Sequence, residues 1–406
     1  MIAIVGAGLA GLTAGRALLN AGNRDFVIYE REAQVGGRLA TESDGEFTYD
    51  VGFAVLNPAY PMVAKYLSLP ELRLEYFDAG ALLLHGGGRR SALFDPLSHP
   101  EKLFSMMAQS FPTWSDRLRT LALRMLPNPP QRPQDEGITA LEGLRSRGFS
   151  EPYIDQFFRP FFAGVFLDKD LSVSDDLFRY LFNYFRQSRV ALPAAGIRSV
   201  AENLAKPIPL ENIRCGVAVE SMEKGKIFLS DGTTMHPRAT ILAVDAKSAR
   251  NLVSRPQDDF DFRSVTTAYY AAPSIPWKYQ RLLALNSTGK GWINHLAVLS
   301  QVQPSYAKKQ RHLVAVSSVG PQTTRERIKD QVQRELVDLV GPEALDWSFL
   351  RSYYVPYALP VKFGRTDYAS GDSLIFAGDY LENPSIQGAM LSGEKAASLA
   401  LLRREA

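Results

Sequence analysis

The sequence predicts an α/β fold with a Rossmann-type nucleotide-binding domain, and three observations lead to this prediction. A β-branched run at residues 2–5 is followed at once by three closely spaced glycines and a helix-like segment. A second buried strand is predicted over residues 240–245. An apolar strand over residues 374–377 is again followed by a glycine and a helix-like segment. Strands that alternate with helices are typical of a parallel sheet covered on both faces.

The glycine motif after the first strand is Gly6-Ala-Gly8-Leu-Ala-Gly11. In a dinucleotide-binding turn, Gly6 permits the tight turn, Gly8 lets a pyrophosphate approach the backbone, and Gly11 lets helix and strand pack closely. The helix that begins here offers N–H groups and a positive dipole end to phosphates. The next strand ends on Glu30, whose carboxylate can accept both hydroxyls of an adenosine ribose. This acid disfavours a 2′-phosphate, so the predicted nucleotide is FAD or NAD rather than NADP.

Residues 30–38 read Glu30-Arg31-Glu-Ala-Gln-Val-Gly36-Gly37-Arg38 and turn back over the predicted nucleotide. Their backbone N–H groups and guanidinium suit a second approach to a pyrophosphate. This segment resembles the signature that follows the glycine motif in the superfamily of FAD-dependent amine oxidases, protoporphyrinogen oxidases and phytoene desaturases. Residues 50–53, Asp-Val-Gly-Phe, resemble the element that closes its first FAD segment. The resemblance implies FAD as the cofactor and a glutathione-reductase-like FAD domain.

The end of the chain resembles the second FAD signature of the same superfamily. There, Gly378-Asp379 follows an apolar strand, and a helix opens over residues 384–389. The resemblance implies that the aspartate contacts the ribityl-phosphate region and that the helix N-terminus faces the flavin pyrimidine, where it stabilises negative charge. A third segment would place the backbone of Val217 against the adenine. The implied FAD contacts are Gly6, Gly8, Leu9, Ala10, Gly11, Glu30, Arg31, Gly36, Gly37, Arg38, Val217, Ala243, Gly378, Asp379, Ser385, Ile386, Gln387 and Ala389.

Three separated FAD segments imply a discontinuous domain organisation. We expect the FAD-binding domain to comprise residues 1–60, 195–260 and 365–406. The two insertions, residues 61–194 and 261–364, would form an α+β substrate domain. A chain of 406 residues is long enough to bury two such cores.

The composition restricts the partners and the compartment. The net charge is +3 without a long basic run, so nucleic acid is not an expected partner. The five histidines and the single Cys215 show no ligand spacing, and no metal site is expected. One cysteine excludes an internal disulfide and fits a reducing compartment. Because the first strand begins at Ile2 and no apolar stretch reaches membrane-spanning length, we expect a cytoplasmic protein without a signal peptide.

Two apolar segments raise the question of peripheral membrane contact. Residues 103–126 are rich in Leu, Met and Phe with interspersed Arg and Lys, and residues 157–162 read Phe-Phe-Arg-Pro-Phe-Phe. Such patches can lie on a membrane surface and admit a lipophilic substrate. The alternative interpretation is that both segments are ordinary walls of the substrate domain.

Catalytic residues are harder to choose, because hydride transfer to a flavin chiefly needs a dry, aromatic-lined pocket. The weak candidates are Tyr270, Trp292, His295 and Tyr357. His295 is a potential proton acceptor, and the alternative is a structural histidine. Amine oxidases of the superfamily place a lysine beside the flavin, but the strand at residues 264–270 carries none. This departure favours the desaturase and protoporphyrinogen-oxidase branch.

The sequence therefore predicts an FAD-dependent oxidoreductase that removes a hydride from a C–H bond of a lipophilic or polycyclic substrate, with oxygen or a quinone reoxidising the flavin. Three alternatives remain open at this point. They are a flavin amine oxidase, a redox-neutral mutase that uses reduced flavin, and a lipid-binding protein of the same fold that dispenses with flavin chemistry.

Overall fold

The computed structural model describes residues 1–102, 110–126, 133–223, 225–253, 261–308, 311–321, 325–364, 368–370 and 373–403. Within these ranges two large sheets face each other, and a helical layer covers the space at one end between them. The apolar segment at residues 103–126 falls partly outside the described residues, since residues 103–109 are not among them.

The strands, in chain order, are β1 Ile2–Val5, β2 Phe26–Glu30, β3 Thr41–Ser43, β4 Thr48–Asp50, β5 Glu75–Tyr76, β6 Gly80–Leu84, β7 Arg90–Phe94, β8 Ala191–Leu192, β9 Ile213–Cys215, β10 Val219–Glu223, β11 Lys226–Leu229, β12 Thr234–Met235, β13 Ala239–Leu242, β14 Phe262–Ala272, β15 Leu283–Asn286, β16 His295–Val298, β17 His312–Val319, β18 Ser348–Pro360, β19 Ala369–Ser370 and β20 Leu374–Phe376.

The α-helices are α1 Leu9–Asn20, α2 Pro61–Tyr66, α3 Leu69–Leu72, α4 Trp114–Met125, α5 Ala140–Ser146, α6 Glu151–Tyr153, α7 Arg159–Phe166, α8 Asp175–Gln187, α9 Arg198–Ala205, α10 Ala246–Val253, α11 Leu299–Val302, α12 Arg325–Val340 and α13 Ile386–Leu402. A single π-helical turn, Ile154–Phe158, joins α6 to α7. None of the helices in the described part of the chain is both long and apolar enough to cross a membrane.

The first large sheet has six strands in the order β19-β20-β13-β1-β2-β9. Its strands from β20 to β9 run parallel, and β19 pairs antiparallel at one edge. Every residue of β1 is buried, as its continuous apolar sequence requires in a sheet covered on both faces. Helices α1 and α13 pack side by side on this sheet. The predicted α/β class with a parallel nucleotide-type sheet is confirmed.

The second large sheet has seven strands in the order β18-β14-β17-β16-β15-β6-β7. It is antiparallel except where β15 pairs with β6. One face packs on α12, through side chains such as Val332 and Leu336. The opposite face turns toward the first sheet and toward the helical layer that contains α7. Since side chains alternate along a strand, neighbouring residues of β14 serve opposite faces of this sheet.

Asp50, at the end of β4, links the β3–β4 hairpin to the start of α9 and to the seven-stranded sheet. Its carboxylate accepts hydrogen bonds from Thr41 Oγ1 at 2.6 Å, the Ile197 N–H at 2.8 Å and the Tyr306 hydroxyl at 2.7 Å. The Tyr269 hydroxyl, from β14, donates to the Asp50 carbonyl at 2.7 Å. Burial raises the pKa of the Asp50 carboxyl, and these hydrogen bonds oppose that shift. The junction holds the β3–β4 hairpin and the start of α9 against β14 of the second sheet.

The aromatic segment at residues 157–162 forms a wall of the interior. Phe158 and Phe162 are buried in the main core, where Phe162 lies edge-on to Phe178 at 4.7 Å between ring centres. Phe157 and Phe161 line the cavity described below. The segment is therefore an interior wall rather than an exposed apolar patch.

Candidate functional site

One continuous cavity of about 1330 Å³ lies between the carboxyl edge of the six-stranded sheet and the inner face of the seven-stranded sheet. A pocket for a single small ligand typically measures about 300–1,000 Å³, so this cavity has room for more than one. Its two ends differ in chemistry. The glycine-rich end we call the nucleotide end, and the aromatic end we call the chamber.

The nucleotide end begins at the glycine turn between β1 and α1. A Cβ on Gly11 would lie 1.9 Å from the carbonyl oxygen of Gly6, so the helix can approach the turn only with glycine here. A Cβ on Gly8 would meet nothing within 4 Å, because this residue faces the open cavity. Gly8 is also the N-cap of α1 and has no capping side chain. The first N–H groups of α1 are thus left for a ligand, which fits a pyrophosphate.

Glu30 stands at the carboxyl end of β2, beside this turn. Its Oε2 accepts a hydrogen bond from the Ala7 N–H at 2.7 Å, and its Oε1 accepts one from the Glu32 N–H at 3.0 Å. The carboxylate is buried and fixed by the backbone, yet each oxygen retains a second lone pair. Its position and remaining acceptor capacity fit a ribose diol.

Arg38 and Asp379 form an ion pair across the cavity, although they were expected to contact separate parts of a dinucleotide. The two bonds measure 2.9 Å from Nη1 and 2.6 Å from Nη2. Nη1 also donates to the Ala358 carbonyl at 2.8 Å. Burial disfavours the guanidinium charge, but Asp379 outweighs this effect and raises the pKa of Arg38. These bonds use three of the five guanidinium donors, which leaves Arg38 able to contact a phosphate as well.

The N-terminus of α13 forms the opposite wall of the nucleotide end. Ser385 caps this helix by accepting a hydrogen bond from the Gly388 N–H at 3.0 Å. Ser385, Ile386 and Ala389 line the cavity. Gln387 turns away from it, and its Oε1 accepts a hydrogen bond from the Met62 N–H at 2.9 Å. The positive end of a 17-residue helix therefore faces the cavity, as the resemblance implied.

All but three of the predicted cofactor residues line the cavity. The exceptions are Gln387, Gly11, whose place is between helix and turn, and Val217. The Val217 N–H donates to the Glu30 carbonyl at 2.9 Å. Val219, and not Val217, lines the cavity. The lining residues are Gly6, Gly8, Leu9, Ala10, Glu30, Arg31, Gly36, Gly37, Arg38, Ala243, Gly378, Asp379, Ser385, Ile386 and Ala389.

Sequence reasoning missed the residues that follow β13. Val244, Asp245, Lys247 and Ser248 all line the nucleotide end. Asp245 holds the start of α10, since its Oδ1 accepts a hydrogen bond from the Ser248 N–H at 3.0 Å. These residues could have been found from the rule that ligands bind beyond the carboxyl ends of parallel strands, if it had been applied to β13 as well as to β1.

The chamber is lined mostly by aromatic and aliphatic side chains. Its phenylalanines are Phe53, Phe77, Phe94, Phe157, Phe161, Phe162, Phe182 and Phe185. Aliphatic residues complete the wall, among them Val55, Leu93, Val165 and Leu283. Such a lining excludes water and favours a lipophilic ligand.

Charged residues lie at the end of the chamber away from the glycine turn. Four arginines line it, Arg117, Arg124, Arg186 and Arg189. Of the two aspartates that line it, Asp95 binds Arg124 at 2.7 Å and Asp78 lies 3.9 Å from the Arg281 guanidinium. The acidic groups are therefore neutralised by neighbours, and the balance of charge at this end is positive.

His295 is the candidate that the structure characterises best. It lines the chamber and is 3% exposed, and its ring lies 4.8 Å from that of Phe53. The Asn294 Nδ2 donates both to the Pro160 carbonyl at 2.9 Å and to His295 Nδ1 at 3.0 Å. Because an amide nitrogen only donates, Nδ1 must be the acceptor and the ring proton lies on Nε2. Among the described residues, Nε2 has no hydrogen-bond partner.

Of the two interpretations of His295 that the sequence left open, this arrangement does not favour the proton acceptor. Burial lowers the pKa of His295 to about 4, so the imidazole is neutral near pH 7. With Nδ1 already engaged, the remaining ring group is the Nε2–H donor. His295 is thus placed to donate a hydrogen bond rather than to act as a base.

The other catalytic candidates divide between two faces of the seven-stranded sheet. Tyr357 lines the cavity, and Lys247 Nζ donates to its hydroxyl. Tyr270 and Trp292 do not reach the cavity and pack in the core on the α12 side. The reason is the alternation along β14, which turns Tyr269 toward the junction at Asp50 and Tyr270 the other way.

The profile of one protein family, described as flavin containing amine oxidoreductase, matches residues 9–401 of this chain. A curated relative, polyamine oxidase 6 of Oryza sativa subsp. japonica, is 25% identical over 157 residues. That match covers 34% of this chain and spans 31% of the relative's length.

Two solved structures show the same fold. Putrescine oxidase bound to putrescine superposes with a TM-score of 0.71 at 16% identity, covering 99% of each chain. A candidate protoporphyrinogen oxidase from Exiguobacterium sp. 255-15 superposes with a TM-score of 0.72 at 15% identity, covering 98% of each chain.

Proposed function

Because this chain belongs to the flavin containing amine oxidoreductase family, we propose that it is an FAD-dependent oxidoreductase that oxidises a C–H bond of a lipophilic substrate. The single observation that carries this proposal is the continuous cavity. It joins a glycine-lined end that fits a dinucleotide to a chamber lined by eight phenylalanines. A ligand in the chamber therefore shares one continuous space with the cofactor.

FAD would be held by backbone groups and a few fixed side chains. The first N–H groups of α1 would bind the pyrophosphate, and Glu30 would bind the adenosine ribose. Arg38 and Asp379 would contact the phosphates and the ribityl chain, and the N-terminus of α13 would face the pyrimidine edge. When bound, FAD supplies the acceptor for the hydride, which carries both electrons from the substrate.

The residues of the chamber would orient the substrate and exclude water. The phenylalanine walls provide a dry environment, in which a lipophilic substrate binds through burial of apolar surface. His295 would donate its Nε2–H to an acceptor atom of the substrate. Because Nδ1 is engaged and burial lowers the pKa of His295, the ring is a poor proton acceptor, and its proposed role is positioning.

We propose oxygen or a quinone as the electron acceptor. The cavity shows a dinucleotide-type cradle beside one glycine turn, and FAD would fill it. A nicotinamide would then have to compete with the substrate for the chamber. Reoxidation by a small acceptor needs no second nucleotide site.

The second candidate function is amine oxidation, which the likeness to polyamine oxidase 6 and putrescine oxidase favours. The charges that line the chamber disfavour the binding of a polyamine. Four arginines line it, while Asp95 is already bound to Arg124. A doubly protonated diamine would meet unfavourable charge there. A neutral or anionic lipophile would not.

Anaerobic reduction of the FAD-loaded protein distinguishes these functions. Putrescine, NADH and a polyene solubilised in detergent are added separately, and loss of the flavin absorption band is followed in each case. We expect the polyene to bleach the flavin and NADH to leave it oxidised on the same time scale. Rapid bleaching by putrescine alone would replace the proposal by amine oxidation. Rapid bleaching by NADH would identify a reductase instead.

A further inference from the structure

Helix α4 carries an apolar stripe that faces solvent. Trp114, Leu118, Leu121 and Met125 are spaced by four, three and four residues, so they lie on one side of the helix. Their exposed fractions are 57%, 65%, 45% and 77%. Four large apolar side chains in a row on the outside of a protein mark an interaction surface rather than ordinary exposure. We refer to these four residues as the apolar stripe.

The opposite side of α4 fixes the stripe in its outward position. Asp116 is fully buried and accepts hydrogen bonds from the Ser150 N–H at 2.9 Å and the Ser150 hydroxyl at 2.7 Å. Thr113 caps the helix by accepting from the Asp116 N–H at 3.1 Å. Leu123 packs in the main core. The helix is therefore anchored, and turning the stripe inward would expose a buried carboxylate network.

The stripe is continuous with the chamber. Trp114, Leu118 and Leu121 also line the cavity, together with the exposed Leu97. The apolar surface thus extends along α4 from the phenylalanine walls to the outside of the molecule, and Arg117, Thr120 and Arg124 of the same helix line the cavity beside it. A lipophilic molecule entering along this path would remain in contact with apolar side chains.

The charges beside the stripe are those of an anion-binding surface. Arg117 and Arg124 flank the stripe on the same helix, and the Arg117 guanidinium lies 5.1 Å from the ring centre of Trp114. Two acids of this region are already bound, Asp116 to Ser150 and Asp95 to Arg124. Apolar residues with a tryptophan on one side and arginines on the flanks are the pattern of helices that lie in a lipid interface.

We propose that the apolar stripe docks on an anionic phospholipid bilayer, so that the chamber opens to the lipid rather than to water. The stripe enters the headgroup and acyl boundary, and the flanking arginines contact the lipid phosphates. This inference goes beyond the proposed oxidation and does not depend on which bond the enzyme oxidises. It is tested without any substrate.

The test measures binding of the FAD-loaded protein to large vesicles by sedimentation. We expect binding to vesicles of equimolar phosphatidylglycerol and phosphatidylcholine, and much weaker binding to phosphatidylcholine alone. The double variant Leu118→Ser/Leu121→Ser should lower the partition coefficient by about tenfold to a hundredfold, because two leucines no longer enter the interface. The matched control, Leu210→Ser/Leu345→Ser, removes leucines that are 88% and 66% exposed elsewhere and should bind as the unchanged protein does.

Two further variants separate docking on lipid from self-association of the protein. Arg117→Gln should weaken binding about fivefold on the anionic vesicles only, as expected for one surface arginine. Anionic vesicles should shift the tryptophan emission to the blue, and Trp114→Phe should abolish the shift. Flavin absorbance shows that each variant remains folded. Equal binding of the leucine variant and the unchanged protein would overturn the proposal. So would an oligomer that the leucine variant dissociates, since the stripe would then bind a second copy of this chain.

Discussion

The two ends of the cavity are built by different means. The nucleotide end uses backbone N–H groups, glycines and one ion pair, Arg38 with Asp379, all placed by strands of a single parallel sheet. The chamber uses large side chains contributed by the second sheet, the helical layer and α4. Backbone positions are fixed by the fold, whereas side chains are free to vary. The nucleotide end is therefore intolerant of substitution, and the chamber is where the choice of ligand is made.

The largest expected effect tests this contrast within one motif. Gly11→Ala places a Cβ 1.9 Å from the Gly6 carbonyl oxygen, and we expect it to abolish the folded, FAD-loaded protein. Gly8→Ala adds the same atom where nothing lies within 4 Å, at a φ of −77° that alanine adopts freely. It should fold normally and bind FAD more weakly, because the Cβ occupies the cradle. Circular dichroism melting gives the fold, and flavin absorbance gives the cofactor content. If the two variants fold equally well and bind FAD equally, the proposed difference between the two glycine positions is wrong.

The next effect concerns the chamber and is a dependence on pH. The pKa of His295 is lowered by burial to about 4, whereas in the unfolded chain it is near 6.5. The unfolded state then binds more protons between these values, so stability is complete above about pH 6.5 and falls as the pH drops toward 4, by at most about 3 kcal/mol.

Urea unfolding measured across this pH range checks the prediction. His295→Phe should flatten the loss of stability, while His236→Phe, at an exposed position, should leave it unchanged. If the His295 variant loses as much stability at low pH as the unchanged protein does, other groups cause the loss.

The third effect returns to the nucleotide end. Asp379→Asn removes the buried partner of Arg38 and should lower the free energy of unfolding by about 2 kcal/mol. This is less than the loss of a fully buried pair, because 37% of the Arg38 side chain is accessible. FAD should also dissociate more readily. Differential scanning calorimetry and flavin release measure the two changes. The conservative variant Arg38→Lys keeps the charge but loses the bidentate geometry. Its stability and its retention of FAD should lie between those of the unchanged protein and those of Asp379→Asn.

The smallest effect on stability is expected at the far end of the chamber. Arg124→Gln breaks the pair with Asp95, both partners being partly exposed, and should change stability by less than about 1 kcal/mol. It frees a carboxylate that faces the cavity. Putrescine should therefore bind more tightly to this variant in a calorimetric titration. A stability loss as large as that of Asp379→Asn would show that the chamber is not the more tolerant end.

The sequence allowed the nucleotide end to be predicted because its chemistry is local. Three glycines, Glu30 and the Gly-Gly-Arg turn lie within 33 residues, and their spacing carries a mechanical meaning. The family match confirms FAD as the cofactor. The bond between Arg38 and Asp379 was not predictable, since it joins residues 341 positions apart.

The chamber was predictable in kind but not in detail. Aromatic segments indicated an apolar pocket, yet the choice of Tyr270 and Trp292 was not supported, because a shift of one residue along a strand reverses the face. Tyr270 shows this directly, since its neighbour Tyr269 turns toward the cavity side of the sheet. The tautomer of His295 depends on Asn294 and on the Pro160 carbonyl of another helix, which no spacing reveals. The predicted domain boundaries and catalytic roles remain predictions.

The order of strands in the six-stranded sheet bears on how the enzyme matures. Strand β1 is made first, but its neighbour β13 follows more than 230 residues later, and β20 and α13 later still. During synthesis on the ribosome, the glycine turn is made before β13, β20 and α13. The flavin can be captured only once β20 and α13 have left the exit tunnel. Cofactor loading is therefore a late step of biogenesis, and a chain that stops before residue 374 would emerge without its flavin.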